Sequence, residues 1–186
     1  LETFRMKAVS SQNYEVAEAI QLLGQYMRYN LESTGSVTSL AKELHYINVY
    51  LQIQNLRFSS RISYHIHLDD SIDPEQVEIL PLLIQPIVEN SFIHGHEDTT
   101  ENGRIEICVL DRGSGILIQV RDNGCGLTEE ELAVLKERIY RPADAGSTGS
   151  GLYNIHHRLQ LFYGPEYGLE ISAQEQAGML VQFQVP

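Results

Sequence analysis

Asp122 closes an alternating apolar stretch and is followed at once by Asn123, Gly124, Cys125 and Gly126, which sets a carboxylate beside two residues without a Cβ. A carboxylate there can accept a hydrogen from the amine of adenine. Such a bond is directional and charge-assisted, and guanine, with a carbonyl at the same place, does not offer it. Gly124 and Gly126 would let the backbone turn tightly beneath a flat base. The same five residues also read as a plain polar turn. Upstream, Asn90 lies on an apolar helical stretch, where its carboxamide oxygen can ligate Mg²⁺, a hard cation that prefers oxygen and is usually bridged to phosphates. Glu89 points about 100° away on a helix and can orient a metal-bound water or fix a neighbouring helix. The pair equally suits the solvated edge of a buried helix. His94, one turn beyond Asn90, can stack on a nucleotide or satisfy the helix C-terminus. Downstream, Gly149-Ser150-Gly151 opens a helix whose free N–H groups and dipole suit phosphate. A GxG alone is weak evidence, whereas three such elements in this order are far stronger.

The remaining candidates carry less chemistry. His65 and His67 alternate on a strand, and His156-His157 lie in a helix, without the convergent third ligand of a metal site. His45 sits near Lys42 and Glu43 on what reads as a solvated helix face. GxxxxGK[ST], GxSxG and HExxH motifs are absent from the sequence. A formal net charge of −12 argues against nucleic acid as the main partner, because such binding depends on clustered Lys and Arg. Cys108 and Cys125 have neither disulfide-framework nor metal spacing, which fits a reducing cytoplasm. No apolar run is long enough to span a bilayer. The chain opens inside a helical pattern without an initiator Met, so it is expected to be a fragment.

The elements that must position these residues follow from periodicity. Leu1, Phe4 and Ala8, then Val16, Ala19, Ile20, Leu23, Tyr26 and Met27, recur at helical steps on two segments separated by Ser10 to Asn13. Ser39 can cap a third, carrying Leu40, Leu44, Ile47, Leu51 and Phe58 on one face. Residues 1–59 are therefore expected to form a helical hairpin. From 60 to 186 the pattern predicts a second domain. Ile62 to Leu68 alternate as a strand, Leu82 to His94 form a helix with Pro86 in its first turn and Gly95 as cap, and two strands flank the turn Arg112 to Gly115. Thr128 to Thr148 reads as a charged, poorly periodic lid. Leu152, Ile155, Leu159 and Phe162 mark a helix, and two strands around Gln176-Ala177-Gly178 end the chain.

With these residues in hand, the chain resembles the sensor histidine kinases of the LytS/YesM-like group, whose catalytic domain carries three boxes that read here LPLLIQPIVENSFIHG, DNGCGL and GSGLYNIHHRL. SLAKELHYINVYLQIQNLRF resembles the segment joining their dimerisation helices to the ATP domain. The resemblance implies an α+β fold of the Bergerat (GHKL) type, a two-layer sandwich of a mixed sheet covered by helices. It implies ATP and Mg²⁺ as cofactors, with Asp122 reading adenine, Asn90 holding the metal and Glu89 supporting it as the catalytic pair. His94, Gly124, Gly126, Gly149, Gly151 and Leu152 would line the nucleotide pocket and its lid. By the same resemblance the intact protein is a membrane-anchored homodimer, with this part in the cytoplasm, and passes phosphoryl from a histidine to an Asp of a response regulator. The acceptor motif, of Pro-His-Phe-Leu type, would precede Leu1. Two residues depart from related patterns: Ile93 stands where Lys is common, and Pro86 stands four residues before Asn90, where conformational ATPases of the gyrase type carry a water-activating Glu. The second departure counts against hydrolysis; the first would favour a non-catalytic module that keeps the fold.

Overall fold

The computed structural model describes residues 1–32, 36–57, 61–95, 102–140, 151–174 and 177–186. The chain divides into two compact units, Leu1–Ser60 with Pro74–Pro81, and Arg61–Asp73 with Leu82–Pro186. Pro74–Pro81 lies inside the span read as the second domain, yet it clusters with the first unit.

In the first unit α1 (Glu2–Ser10) turns at residues 11–13 into α2 (Tyr14–Glu32), and α3 (Leu40–Arg57) follows. The Asn13 side chain accepts from Val16 N–H at 3.2 Å, and Ser39 Oγ accepts from Lys42 N–H at 3.3 Å, so α2 and α3 each open on a residue able to satisfy a free donor. Tyr29 meets Glu43 and Tyr46, while Tyr26 meets Tyr46 and Tyr50, which makes α2 and α3 antiparallel. Lys42 and His45 are exposed as expected, but Glu43 is 0% exposed. It is drawn inside because the Tyr29 hydroxyl donates to its carboxylate at 2.9 Å, and a buried carboxylate needs such partners. A short β1 (Thr38–Ser39) pairs antiparallel with β3 (Glu78–Ile79), which is what brings Pro74–Pro81 into this unit.

The second unit holds β2 (Ile62–Leu68), α4 (Gln85–Asn90), β4 (Gly103–Asp111), β5 (Ile116–Asp122), α5 (Glu129–Tyr140), α6 (Gly151–Tyr163), β6 (Glu170–Ala173) and β7 (Met179–Val185). Its sheet runs β2-β4-β5-β7-β6, with β2 parallel to β4 and every other pair antiparallel. One face carries Ile105, Ile107, Val109, Ile118, Val120 and Phe183, all buried with the apolar sides of α4 and α6. Burying each such side chain stabilises the fold by about 1.5–3 kcal/mol, which is why strict alternation sets the register. This is the expected mixed sheet with helices.

Two elements differ from the sequence reading. The helix expected from Leu82 begins only at Gln85, since the Pro86 ring would collide with the carbonyl of residue 82. Leu82 instead takes φ +58°, and its carbonyl accepts from Arg158 Nη1 at 3.4 Å. Beyond Asn90 the helix widens into a π turn, Ser91–Gly95. The second difference is α5, which replaces the first part of the expected lid. Thr128 Oγ1 accepts from Glu131 N–H at 3.2 Å, and the Glu131 carboxylate accepts from Thr128 N–H at 2.9 Å, a reciprocal cap that starts a helix despite its weak apolar stripe. The rest of that lid, 141–148, lies outside the described residues.

Candidate functional site

A cavity of about 570 Å³ opens between the end of β5, α4, α5 and the start of α6. Its wall is mostly apolar, built by Ile87, Leu152, Ile171, Met179 and Val181, with Asn90, Ser91 and Asp122 as polar groups and Glu130, Glu131 and Arg138 along α5. Alternation explains Asp122. It shares the inward face with Ile118 and Val120, so the last residue of β5 carries a carboxylate to the edge of the core, where it is 6% exposed.

Three donors hold that carboxylate. Gly124 N–H and Met179 N–H donate to Oδ1 at 3.0 and 3.2 Å, and the Ser91 hydroxyl donates to Oδ2 at 3.0 Å. A carboxylate has roughly four acceptor sites, so one remains for a ligand. The loop after Asp122 reaches φ +68° at Gly126, a conformation other residues rarely adopt, and a Cβ there would come within 3.0 Å of Gly178 N. Gly178, at φ +95°, passes so close that a Cβ would stand 2.0 Å from the Asp122 carbonyl oxygen.

Among the expected site residues, Asn90, Asp122, Gly126 and Leu152 line the cavity together. Glu89 lies on α4 outside that lining, its Oε1 accepting from the Gln85 side-chain amide. Gly124 serves through its N–H, and Gly151 opens α6, with room for a Cβ 3.6 Å from Pro86 Cβ. The backbone of His94 belongs to the π turn, and Gly149 lies outside the described residues. Ile93 is 51% exposed. Sequence reasoning did not find Ser91, Gly178 or Met179. Gly178 carried a signal, a glycine ending a turn between two strands, but nothing in the sequence tied that turn to Asp122.

The residues fit an adenine nucleotide: an apolar slot suits a flat base, and the one open acceptor on Asp122 suits its amine. Among the described residues no three His, Cys, Asp or Glu side chains converge as a metal site. Asn90 offers a single hard oxygen, which accords with Mg²⁺ because that ion keeps water and phosphate as most of its ligands. Beside the cavity, His156 Nδ1 accepts from Leu169 N–H at 3.0 Å and its ring meets that of Tyr140, centroids 5.0 Å apart. Burial, then the neighbouring His157, hold the His156 imidazole below its ordinary range, and burial pushes the Tyr140 phenol up.

Residues 75–186 match the family model "Histidine kinase-, DNA gyrase B-, and HSP90-like ATPase", and residues 1–62 match "Histidine kinase". The chain is 33% identical over 165 residues to sensor protein LytS of Bacillus subtilis (strain 168), covering 88% of this chain and 27% of that protein. The chain thus spans about a quarter of that relative. The catalytic domain of histidine kinase ThkA has a similar fold, with a TM-score of 0.57 and 20% identity over 81% of this chain and 93% of that one. ThkA in complex with the response regulator protein TrrA matches with a TM-score of 0.57 and 18% identity, over 96% of this chain and 51% of that one.

Proposed function

The chain belongs to the sensor histidine kinases and carries their ATPase domain, and from that premise we propose that it binds Mg-ATP and donates the γ-phosphoryl group to a histidine outside its 186 residues. The observation that carries this reading is Asp122, a buried carboxylate at the cavity wall, oriented by three donors and left with one acceptor. That acceptor takes a hydrogen from the adenine amine. The apolar wall of Ile87, Leu152, Ile171 and Val181 excludes water from the faces of the base and strengthens the bond. The Asn90 oxygen would hold Mg²⁺, and Glu89, which accepts from the Gln85 side-chain amide on the same helix, would support the metal or its water. Bound Mg-ATP supplies the phosphoryl group. The chain contributes positioning and charge neutralisation, which dominate phosphoryl transfer.

In the intact protein the acceptor histidine would pass the group to an Asp of a response regulator, as a membrane-anchored dimer. The ThkA complex with a response regulator supports the choice of partner at the level of fold. A hydrolytic clamp is disfavoured by Pro86, which stands where such a protein would carry its base.

Thermal unfolding with and without Mg-ATP, on this chain and on Asp122→Ala, tests the reading. Ligand at about a hundred times its Kd adds roughly 2.7 kcal/mol, a shift of about 5 to 10 °C at this size, and the substitution should abolish it. No shift in either protein at millimolar ATP would replace the kinase reading with that of a binding module retaining the fold.

A further inference from the structure

We propose that Ser91 is the positioning residue that makes this cavity choose a 6-amino over a 6-oxo purine nucleotide, an inference that rests on the nucleotide reading above. Ser91 opens the π turn directly after Asn90, is buried, and lines the same cavity as Asp122. Its hydroxyl has one proton and two neighbouring acceptors, the Ile87 carbonyl at 3.4 Å and Asp122 Oδ2 at 3.0 Å. The carboxylate is the nearer and, being charged, the stronger acceptor, so the proton goes there.

Two consequences follow from where that proton goes. Gly124 and Met179 both bond Oδ1, so without Ser91 nothing in the chain's described hydrogen bonds would hold Oδ2, and the carboxylate could turn about its terminal torsion. With Ser91 in place, the remaining acceptor has a fixed direction for the amine of adenine. The second consequence concerns the wrong base. A 6-oxo purine presents a carbonyl, which needs a donor, and the hydroxyl beside Asp122 is already committed to the carboxylate. Two acceptors then face each other, with no proton between them. Removing the hydroxyl leaves space in which water can bridge the carboxylate to that carbonyl, so the penalty on the wrong base eases as the bond to the right one weakens.

The experiment is calorimetric titration of the whole chain with Mg-ATP and with Mg-ITP, for the unaltered protein, Ser91→Ala, Ser91→Thr and Asp122→Ala. The ratio of the two affinities is the readout, because partial loss of folded protein lowers both together. Ser91→Ala should weaken ATP binding by about tenfold with ITP binding unchanged or improved, and Ser91→Thr, which restores a hydroxyl, should recover the ratio. An unchanged ratio in Ser91→Ala, with Asp122-dependent ATP binding in the unaltered chain, overturns the role of Ser91 and leaves the nucleotide reading standing. A reduced ratio that Thr does not rescue also overturns it, assigning the loss to packing. Absence of ATP binding in the unaltered chain, or binding indifferent to Asp122→Ala, overturns both.

Discussion

Asp122 is held from residues far away in the chain: Ser91 is 31 positions before it and Met179 is 57 after it. Asp122 and Asn90 were legible because their types contradict their surroundings, a carboxylate at the end of an apolar strand and a carboxamide in an apolar helix. Ser91 and Gly178 were not, since a serine in a helix and a glycine in a turn fit their places without further explanation. Gly178→Ala tests the second. The new Cβ would meet the Asp122 carbonyl oxygen at 2.0 Å, on a backbone at φ +95°, so the turn must move and take Met179 N–H with it. We expect a loss of roughly 2–4 kcal/mol in urea unfolding, together with weaker Mg-ATP binding than the stability loss alone explains. Full stability in Gly178→Ala would show that the turn is looser than this contact implies.

At the scale of elements, α5 and α6 meet at Tyr140 and His156, and α6 meets the approach to β6 through the bond from Leu169 N–H to His156 Nδ1. That bond needs a bare Nδ1. Burial and His157 lower the proton affinity of His156 in the folded state, so the unfolded chain takes up the proton first as pH falls. The contribution of His156 is therefore complete above the ordinary imidazole range, near pH 6.5, and is lost as pH drops from there through the lower folded value. The Tyr140 phenol, whose ring meets that of His156, stays neutral throughout this window. Melting temperature should fall between about pH 7 and pH 5 in the unaltered chain, and by less in His156→Gln, which keeps an acceptor without a titration in that range. Parallel curves for the two proteins would remove His156 from the pH response. The same scale shows why α5 was misread. Its apolar stripe is sparse, and the signal lay in its first residues, Thr128 and Glu131, whose Thr-x-x-Glu spacing was available in the sequence.

For the molecule as a whole, the pairing of β3 with β1 assigns Pro74–Pro81 to the helical unit, although both chain neighbours of that segment belong to the other. Ile79 is 0% exposed there, and Leu80 is buried as well. A chain starting at residue 61 would retain the segment without the strand that pairs with it. It should bind more of an apolar fluorescent dye than the 186-residue chain, and Ile79→Ser in the shortened chain should reverse most of the increase. Equal dye binding by the long and short chains would mean that the segment finds cover without β1.

Alternation, helical period and turn residues are local properties, and they determined the strands of the five-stranded sheet, the break at residues 11–13, the Ser39 cap and the order of the three boxes. The family followed from that order, because each box is read over a few residues. What only the tertiary structure decided are the pairings across long separations: β2 beside β4, β3 beside β1, Ser91 and Met179 on one carboxylate, and Glu43 under Tyr29. A polar residue's local pattern reveals that it could be buried, but the partner that makes burial tolerable comes from wherever the fold brings a donor. That choice is made by packing, at a distance no local period records.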